Sequence, residues 1–498
     1  MKIFHWLGAA LLAIYIVWAV QAASYKRLWY DELFTLAIAR QYPANMQRAE
    51  TARFDFNPPM VYLVSSAALR LPLAEEISLR VASIVGFALF AFSLVVFVGR
   101  RLGFPYGLIA GSIALTGTNT QFALEARPYG VLVGFVGLAL VGWQAASDEE
   151  QHWRNLGLAG VAIGLAGALA SHVFALLLYF PFGIAELWRW LERKRPDWGI
   201  AIAFLASLAP VAFYPPLLAA SRQLTLAGPL YALNSSRVLK SYGMLLMSTV
   251  ELFPMLLVLW FMASQTRRAS SLAWAEVRAR VPIRERVLAT TLMILPLAGY
   301  LLADLGHAIF MPRYSLAFIS GFAILLTYLT YGWSRAKAES AWLFAGTAIA
   351  CMIFPIIGTS ISSQHPPRAG QEREALLEMA RGDDPIVVSN GMLFLEMNRY
   401  LTPKIARRLV FVADPELALK RVKSDGVDRP LAMSVPWTKP LGRVVRYADF
   451  ISGHKVFWWY GTGQHPLDWT LAQLNDGGAN IETVAAQGEY RLNRVKLP

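Results

Sequence analysis

Apolar segments long enough to cross a lipid bilayer recur along the first part of this chain, up to about residue 360. A spanning helix needs roughly 20 mostly apolar residues. Only 16% of the residues are charged, against about a quarter in soluble domains. We therefore predict a polytopic α-helical membrane protein with eleven spans, at residues 3–23, 77–99, 104–122, 128–147, 155–171, 173–190, 199–219, 241–262, 287–305, 314–333 and 341–361.

The first apolar segment resembles a signal peptide in its position. Its apolar part, residues 3–23, is longer than a typical signal, and the following YKRLWYDE is a poor cleavage context. We predict a retained first helix. The single cysteine, Cys351, lies in an apolar segment, so no disulfide within the chain can report on the compartment.

The positions of lysine and arginine predict the orientation, because cytoplasmic loops are enriched in both residues. We interpret the net charge of +13 as this topology signal rather than as a nucleic-acid surface. With a cytoplasmic N-terminus, the cytoplasmic loops contain most of the basic loop residues, namely Arg100, Arg101, Arg154, Arg189, Arg193, Lys194, Arg195, Arg267, Arg268, Arg278, Arg280, Arg284, Arg286, Arg335 and Lys337. The outer segment 220–240 is an exception, with three basic residues. The odd number of spans places the C-terminus outside the cytoplasm.

The first outer region, residues 24–76, mixes acidic and basic residues, which is typical of a structured loop with a polar function. The stretch RLWYDELF places Asp31 and Glu32 between aromatic residues just beyond the first span. Asp55 precedes an extended turn at Asn57-Pro58-Pro59, and the apolar residues that follow predict an amphipathic helix on the membrane surface. The acids could be solvated loop residues, or partial burial could raise the basicity of one of them, as suits a general base.

The composition changes after a linker at about residue 364. Short apolar strands alternate with helices, which is typical of a small α/β domain. We predict strands at PIVVS, RRLVFVA, LAMSV, KVFWWY and YRLNRVK. The domain organisation is therefore a transmembrane domain at 1–363, which includes the outer loop 24–76, and an extracytoplasmic α/β domain at 364–498.

Several cationic residues lie at predicted outer ends of spans, on the same side as Asp31. Arginines at span ends could simply extend their charged groups to the surface. Taken together they also suit a phosphate group, which arginine binds through two nitrogens. The candidates are Arg80, Arg127, Arg313, His172 and His307. Glu125 could instead pair with Arg127 and give it a structural role.

The order of these motifs resembles that of a known family. WYDE follows the first span, DFNPPMVYL ends the same loop, SLRVAS begins the second span, ARPYG follows the third and RYSLAF begins a late one. This order, over roughly residues 1–360, is similar to the GT-C glycosyltransferases, in the bacterial branch related to protein O-mannosyltransferases and the lipid A aminoarabinose transferase. The resemblance implies a multi-pass protein of the bacterial cytoplasmic membrane.

The resemblance also implies a reaction and its residues. The sugar donor would be a polyprenyl-phosphate sugar, and the acceptor a hydroxyl of an envelope glycolipid, glycan or protein. Asp31 would be the catalytic base, with Glu32 and Asp55 as further acids of the site. Arg80, Arg127, Arg313 and His172 would bind the donor phosphate, and the same motifs contribute Tyr129, Tyr314 and Asn57. The family often has histidine where Asn57 stands. Some members bind a divalent cation and others do not, so a metal or other cofactor stays open.

Two other classes of function fit a polytopic membrane protein. A transporter or flippase of a lipid-linked precursor would use carboxylates and arginines for ion coupling, but such proteins usually show two related halves and acids near mid-span. A non-catalytic membrane scaffold would use the terminal domain, with its FWWYG stretch, as a contact surface. We favour the transferase, since the acids cluster in one loop and the halves differ.

Overall fold

A computed structural model describes residues 2–41, 55, 57–148, 151–222, 233–264, 270–306, 309–333, 338–363, 368–434 and 442–498. The chain divides into two compact units. The first unit is Met1–Lys26, Asn57–Tyr214 and Leu233–Gln364, and the second is Arg27–Phe56, Pro215–Ala232 and His365–Pro498. Residues 27–39, which carry Asp31 and Glu32, thus belong to the same compact unit as the C-terminal part of the chain.

Helices account for most of the described chain. In chain order they are α1 (Lys2–Tyr25), α2 (Tyr30–Ala39), α3 (Met60–Ala68), α4 (Glu75–Ser78), α5 (Val81–Leu102), α6 (Phe104–Ala114), α7 (Pro128–Ser147), α8 (Arg154–Ser171), α9 (Tyr179–Arg193), α10 (Trp198–Ala206), α11 (Tyr214–Ser221), α12 (Ser236–Glu251), α13 (Phe253–Ser264), α14 (Ser270–Arg280), α15 (Ile283–Leu292), α16 (Leu295–Leu305), α17 (Phe318–Trp333), α18 (Ala338–Ser363), α19 (Arg368–Glu378), α20 (Gly391–Tyr400), α21 (Pro403–Ala406), α22 (Pro415–Val422), α23 (Asp428–Ser434), α24 (Tyr447–Gly453) and α25 (Thr470–Asp476). Short 3₁₀ helices occupy Gly117–Leu124, Gln151–Trp153, Val173–Leu178, Ala209–Phe213 and Pro312–Ser315.

Five described segments are long and apolar enough to cross a membrane. They are Glu75–Leu102, Pro128–Ser147, Arg154–Ser171, Val173–Arg193 and Trp198–Ser221. A sixth span is possible if α15 and α16, which meet at a bend of 52°, count as one. Several other apolar helices are shorter. Every predicted span overlaps a helix, but the number of eleven stays a prediction.

Two groups of buried ion pairs join the ends of these helices. Arg189 donates to Glu186 at 2.7 Å and to Asp197 at 2.5 Å, and all three side chains are nearly inaccessible. Arg101 pairs with the fully buried Glu285, at 2.5 Å, and with Asp148. Because an unpaired buried charge is strongly destabilising, these pairs fix which helix ends lie together. They lie at the span ends that the basic residues predict to be cytoplasmic.

A mixed sheet of six strands forms the core of the second unit. Its strands are β1 (Ile386–Val388), β2 (Leu409–Ala413), β3 (Arg443–Arg446), β4 (Val456–Gly461), β5 (Asn480–Gln487) and β6 (Tyr490–Lys496), in the spatial order β3-β2-β1-β4-β6-β5. Strands β3, β2, β1 and β4 run parallel, and β6 pairs antiparallel with β4 and β5. Trp459 and Trp469 lie in the core on one side of the sheet. The small C-terminal α/β unit predicted from the alternation of strands and helices is therefore present.

One predicted strand is wrong. The stretch LAMSV reads as a strand from its composition, but Leu431–Ser434 lie in helix α23. This helix begins at Asp428, and Pro430 lies in its first turn, where proline is well tolerated because the first N–H groups need no partner within the helix. The edge strands β3 and β5 were not predicted.

Candidate active site

Three chain segments of the first unit bring together three of the four predicted phosphate-binding residues, Arg127, His172 and Arg313. Arg127 precedes helix α7, whose first residues are Pro128 and Tyr129. His172 ends helix α8. Arg313 and Tyr314 lie in the 3₁₀ helix Pro312–Ser315. Proline at the first helical position has a fixed φ that suits a helix start, so two of these segments have well-defined directions. We call Arg127, Tyr129, His172, Arg313 and Tyr314 the cation–aromatic cluster.

The aromatic rings of this cluster are in mutual contact. The centroid of the His172 ring lies 4.8 Å from that of Tyr314 and 5.7 Å from that of Tyr129. The two tyrosine rings are stacked, at 6.4 Å and 24°. The guanidinium of Arg313 lies 5.6 Å from the centroid of Tyr129, within the range of a cation–π interaction. Arg313 therefore has its charge over an aromatic face, a geometry that orients the side chain.

His172 is buried and stays neutral. Burial, together with the positive charges of Arg127 and Arg313, lowers the pKa of its imidazole to about 3. Its Nδ1 accepts the backbone N–H of Phe174 at 3.2 Å. Since a neutral imidazole has one N–H, the proton lies on Nε2. His172 thus offers an N–H donor beside two cations without adding a third charge.

A small apolar cavity of about 10 Å³, less than the volume of a lipid chain, adjoins the cluster. Its lining includes Leu132, Phe174, Leu178, Leu295 and Tyr314. The ring of Phe174 is tilted by 39° against that of Tyr314, with ring centroids 5.0 Å apart. Polar groups that suit a phosphate and apolar groups that suit a hydrocarbon chain are therefore neighbours in this unit.

Arg80 has a different environment. Its side chain is fully buried, and Nη1 donates to the carbonyl oxygens of Ala23 at 2.9 Å and Lys26 at 2.5 Å. These carbonyls end helix α1, where the last turn lacks partners within the helix. Arg80 therefore holds the end of the first helix, and a part in donor binding stays a prediction. Glu125 forms an ion pair with Lys26, at 3.7 Å.

Asn57 is buried, at the beginning of the segment that leads to α3. The amphipathic helix predicted after the proline pair is present as α3, and its position on a membrane surface stays a prediction. His307 lies outside the described residues.

Two of the three candidate acids of the second unit lie on a helix. Asp31 and Glu32 are in the first turn of α2, where negative charge is favourable. Glu32 is fully buried, and its Oε2 accepts the backbone N–H of Trp29 at 3.3 Å, which caps the helix. Asp31 and Asp55 are half-buried. Of the two adjacent acids, Glu32 has a structural partner and Asp31 is the one closer to solvent.

Sequence reasoning missed two residues that contact these sites. Phe174 packs against both His172 and Tyr314, and its only signal was its place two residues after His172. Tyr400, from the C-terminal part of the chain, accepts a hydrogen bond from the backbone that leads into α2. Among the described residues, no group of three or more His, Cys, Asp or Glu side chains is placed to hold a metal ion.

The fold that the sequence resemblance implied is shared by solved structures. Two crystal structures of ArnT from Cupriavidus metallidurans share it, one bound to undecaprenyl phosphate and one in the apo state. The first has a TM-score of 0.60 and the second 0.59; both are 12% identical, and each match covers 99% of this chain and 98% of ArnT. A yeast Pmt1–Pmt2 complex bound to its sugar donor matches only 45% of this chain, with a TM-score of 0.35. No family model and no curated protein sequence match.

Proposed function

We propose that this protein is a membrane glycosyltransferase that moves a sugar from a polyprenyl-phosphate donor to a hydroxyl of an envelope acceptor. The observation that carries the proposal is the cation–aromatic cluster, with the apolar side chains of Leu132, Phe174 and Leu295 beside it. A lipid phosphate needs cationic and N–H donors for its head and apolar contacts for its chain. The ArnT structure that shares the fold binds undecaprenyl phosphate.

The cluster would act on the leaving group. As the bond between the anomeric carbon and the phosphate oxygen breaks, the electron pair passes to the phosphate. Arg127 and Arg313 stabilise this growing negative charge, and Nε2–H of His172 adds a neutral donor. Groups that are already oriented act without reorganisation, and removal of one such donor typically costs about 10²–10³-fold in rate.

Asp31 would act on the acceptor. Its carboxylate takes the proton of the acceptor hydroxyl while that oxygen bonds to the anomeric carbon. One displacement of this kind inverts the configuration of the sugar. A positioned base contributes about 10²–10⁴-fold. Asp31 is the better base of the adjacent pair, because Glu32 is occupied as a helix cap.

The test compares a deletion strain with strains that express wild type, Asp31→Asn or Asp449→Asn. Asp449 is an exposed aspartate of the second unit, outside the candidate site, and provides the matched control. Intact-mass and glycan analysis of the envelope should show loss of one sugar-sized unit on deletion. Wild type and Asp449→Asn should restore it. Asp31→Asn, purified with an unchanged unfolding midpoint, should not.

Two outcomes contradict the proposal in different ways. Restoration by Asp31→Asn at the wild-type level would remove Asp31 as the base. An envelope that does not change on deletion would contradict transfer to an envelope acceptor and favour the transport or scaffold classes.

A further inference from the structure

The backbone that leads into α2 is held by Tyr400, the last residue of α20. The N–H of Leu28 donates to the hydroxyl oxygen of Tyr400 at 2.6 Å. The guanidinium of Arg27 lies 5.0 Å from the centroid of the same ring. Leu28 itself is fully buried. One side chain thus contacts two consecutive residues, one through its hydroxyl and one through its ring face.

These contacts belong to a larger packing of α2 against α20 within the second unit. Arg399 also lies over the Tyr400 ring, at 6.0 Å. Glu396 is one turn earlier on α20; burial raises the pKa of its carboxyl, and the charges of Arg373 and Arg27 oppose this rise. Arg27 is therefore attracted to α20 by an aromatic face and by a carboxylate.

We propose that Tyr400 is a positioning residue, which fixes the start of α2 and so the placement of Asp31. The inference rests on the proposed function of Asp31 as the base. Leu28 immediately precedes Trp29, which caps α2, and Asp31 is the second residue of that helix. A hydrogen bond at Leu28 therefore restrains the backbone three residues before the carboxylate. Misplacement of a reacting group by about 1 Å can cost about 10²-fold in rate, so a catalytic group needs such support.

The substitution Tyr400→Phe separates the two contacts, because it removes the hydroxyl and keeps the ring beneath Arg27. The matched control is Tyr490→Phe. Tyr490 lies on β6 of the same unit, and its described contacts are made by its ring, which stacks on Tyr460. Two quantities are measured for each full-length protein. The first is deuterium exchange, in detergent, of the peptide that spans residues 26–33. The second is the initial rate of sugar attachment to the envelope in cells, after induced expression in the deletion strain.

We expect faster exchange of the 26–33 peptide in Tyr400→Phe, no change in the peptides of the sheet, and an initial rate lowered about tenfold. Tyr490→Phe should behave as wild type in both measurements. Wild-type exchange and rate in Tyr400→Phe would overturn the inference, as would faster exchange throughout the second unit, because that would indicate general loosening.

Asp31→Asn in the same rate assay separates this inference from the proposed function. If Asp31→Asn keeps its rate, the proposed function of Asp31 fails, and with it the catalytic meaning of Tyr400. If Asp31→Asn loses its rate while Tyr400→Phe keeps both rate and protection, the positioning inference fails alone.

Discussion

Alanine at Gly86 should destabilise the protein, because helices α5 and α7 approach each other through glycine. A Cβ atom at Gly86 would lie 2.1 Å from the carbonyl oxygen of Gly130 and 2.6 Å from its carbonyl carbon. The other side of the contact is also close: a Cβ at Gly130 would lie 2.6 Å from the Cα of Ser83. Backbone faces backbone on both sides, so no flexible side chain can move away.

The expected magnitude follows from two opposing effects. Extra atoms in a packed interior typically cost about 1–3 kcal/mol, and rigid backbone on both sides puts Gly86→Ala near the upper end. Replacing a helical glycine with alanine gains about 1 kcal/mol in helix propensity. The net loss should be about 2 kcal/mol. Gly183→Ala is the matched control, since a Cβ there meets nothing within 4 Å; it should be neutral or gain up to about 1 kcal/mol.

The unfolding midpoints of the two purified variants and of wild type are compared in the same detergent. Gly86→Ala should unfold at a lower midpoint than wild type, and Gly183→Ala at the same or a higher one. The effect should extend to activity, because Gly130 is three residues from Arg127 in the first turn of α7. A shifted α7 carries Arg127 with it, and a displacement of about 1 Å can cost about 10²-fold in turnover. If Gly86→Ala is as stable as Gly183→Ala, α5 and α7 are not packed as described.

Two further predictions concern pH. The pKa of His172 is lowered to about 3 from 6.5, so its contribution to stability is complete above about pH 6.5 and is lost as the pH falls toward 3. Between pH 7 and pH 5, the free energy of unfolding of wild type should fall by about 2 kcal/mol more than that of His172→Gln. Equal falls for the two proteins, measured by unfolding at each pH, would contradict the burial of this imidazole. Burial raises the pKa of Asp428 to about 7 from 3.8. The fold therefore loses stability as the pH rises from about 4 to about 7, because only the folded chain keeps this proton there. The N–H groups of Asp414 and Trp469 both donate to Oδ1 of Asp428, and Asp428→Asn keeps this acceptor oxygen. The variant should therefore unfold at a higher temperature than wild type at pH 8. A lower unfolding midpoint at pH 8 would refute the raised pKa of Asp428.

The apolar spans were predictable because hydrophobic length is a property of the local sequence. The span 128–147 coincides with α7 because Pro128 marks its start and the polar Asp148 follows its end. The strands β1, β2 and β4 were predictable for the same reason, as buried apolar runs. Edge strands β3 and β5 were missed because neither has a buried residue, so no buried apolar run marks them.

Contacts between distant residues could not be predicted in this way. Leu28 and Tyr400 are 372 positions apart, and neither a pattern nor a spacing joins them. The motifs did indicate that Arg127, His172 and Arg313 belong on one side of the membrane, because sidedness follows from counting spans. The ring contacts that bring His172 and Tyr314 together depend on packing, which a single sequence does not encode in readable form.

Arg80 shows why an arginine at a span end is ambiguous in sequence. It resembles Arg127 in position, since each stands immediately before a long apolar helix. A buried guanidinium must have its N–H groups satisfied, and carbonyls at the end of a helix can do this as well as a phosphate can. In Arg80 the carbonyls of Ala23 and Lys26 fill this role, whereas the described charge effects of Arg127 and Arg313 converge on His172. The arginines that share a neighbour, rather than those that share a position in the motif, are therefore the better candidates for the donor phosphate.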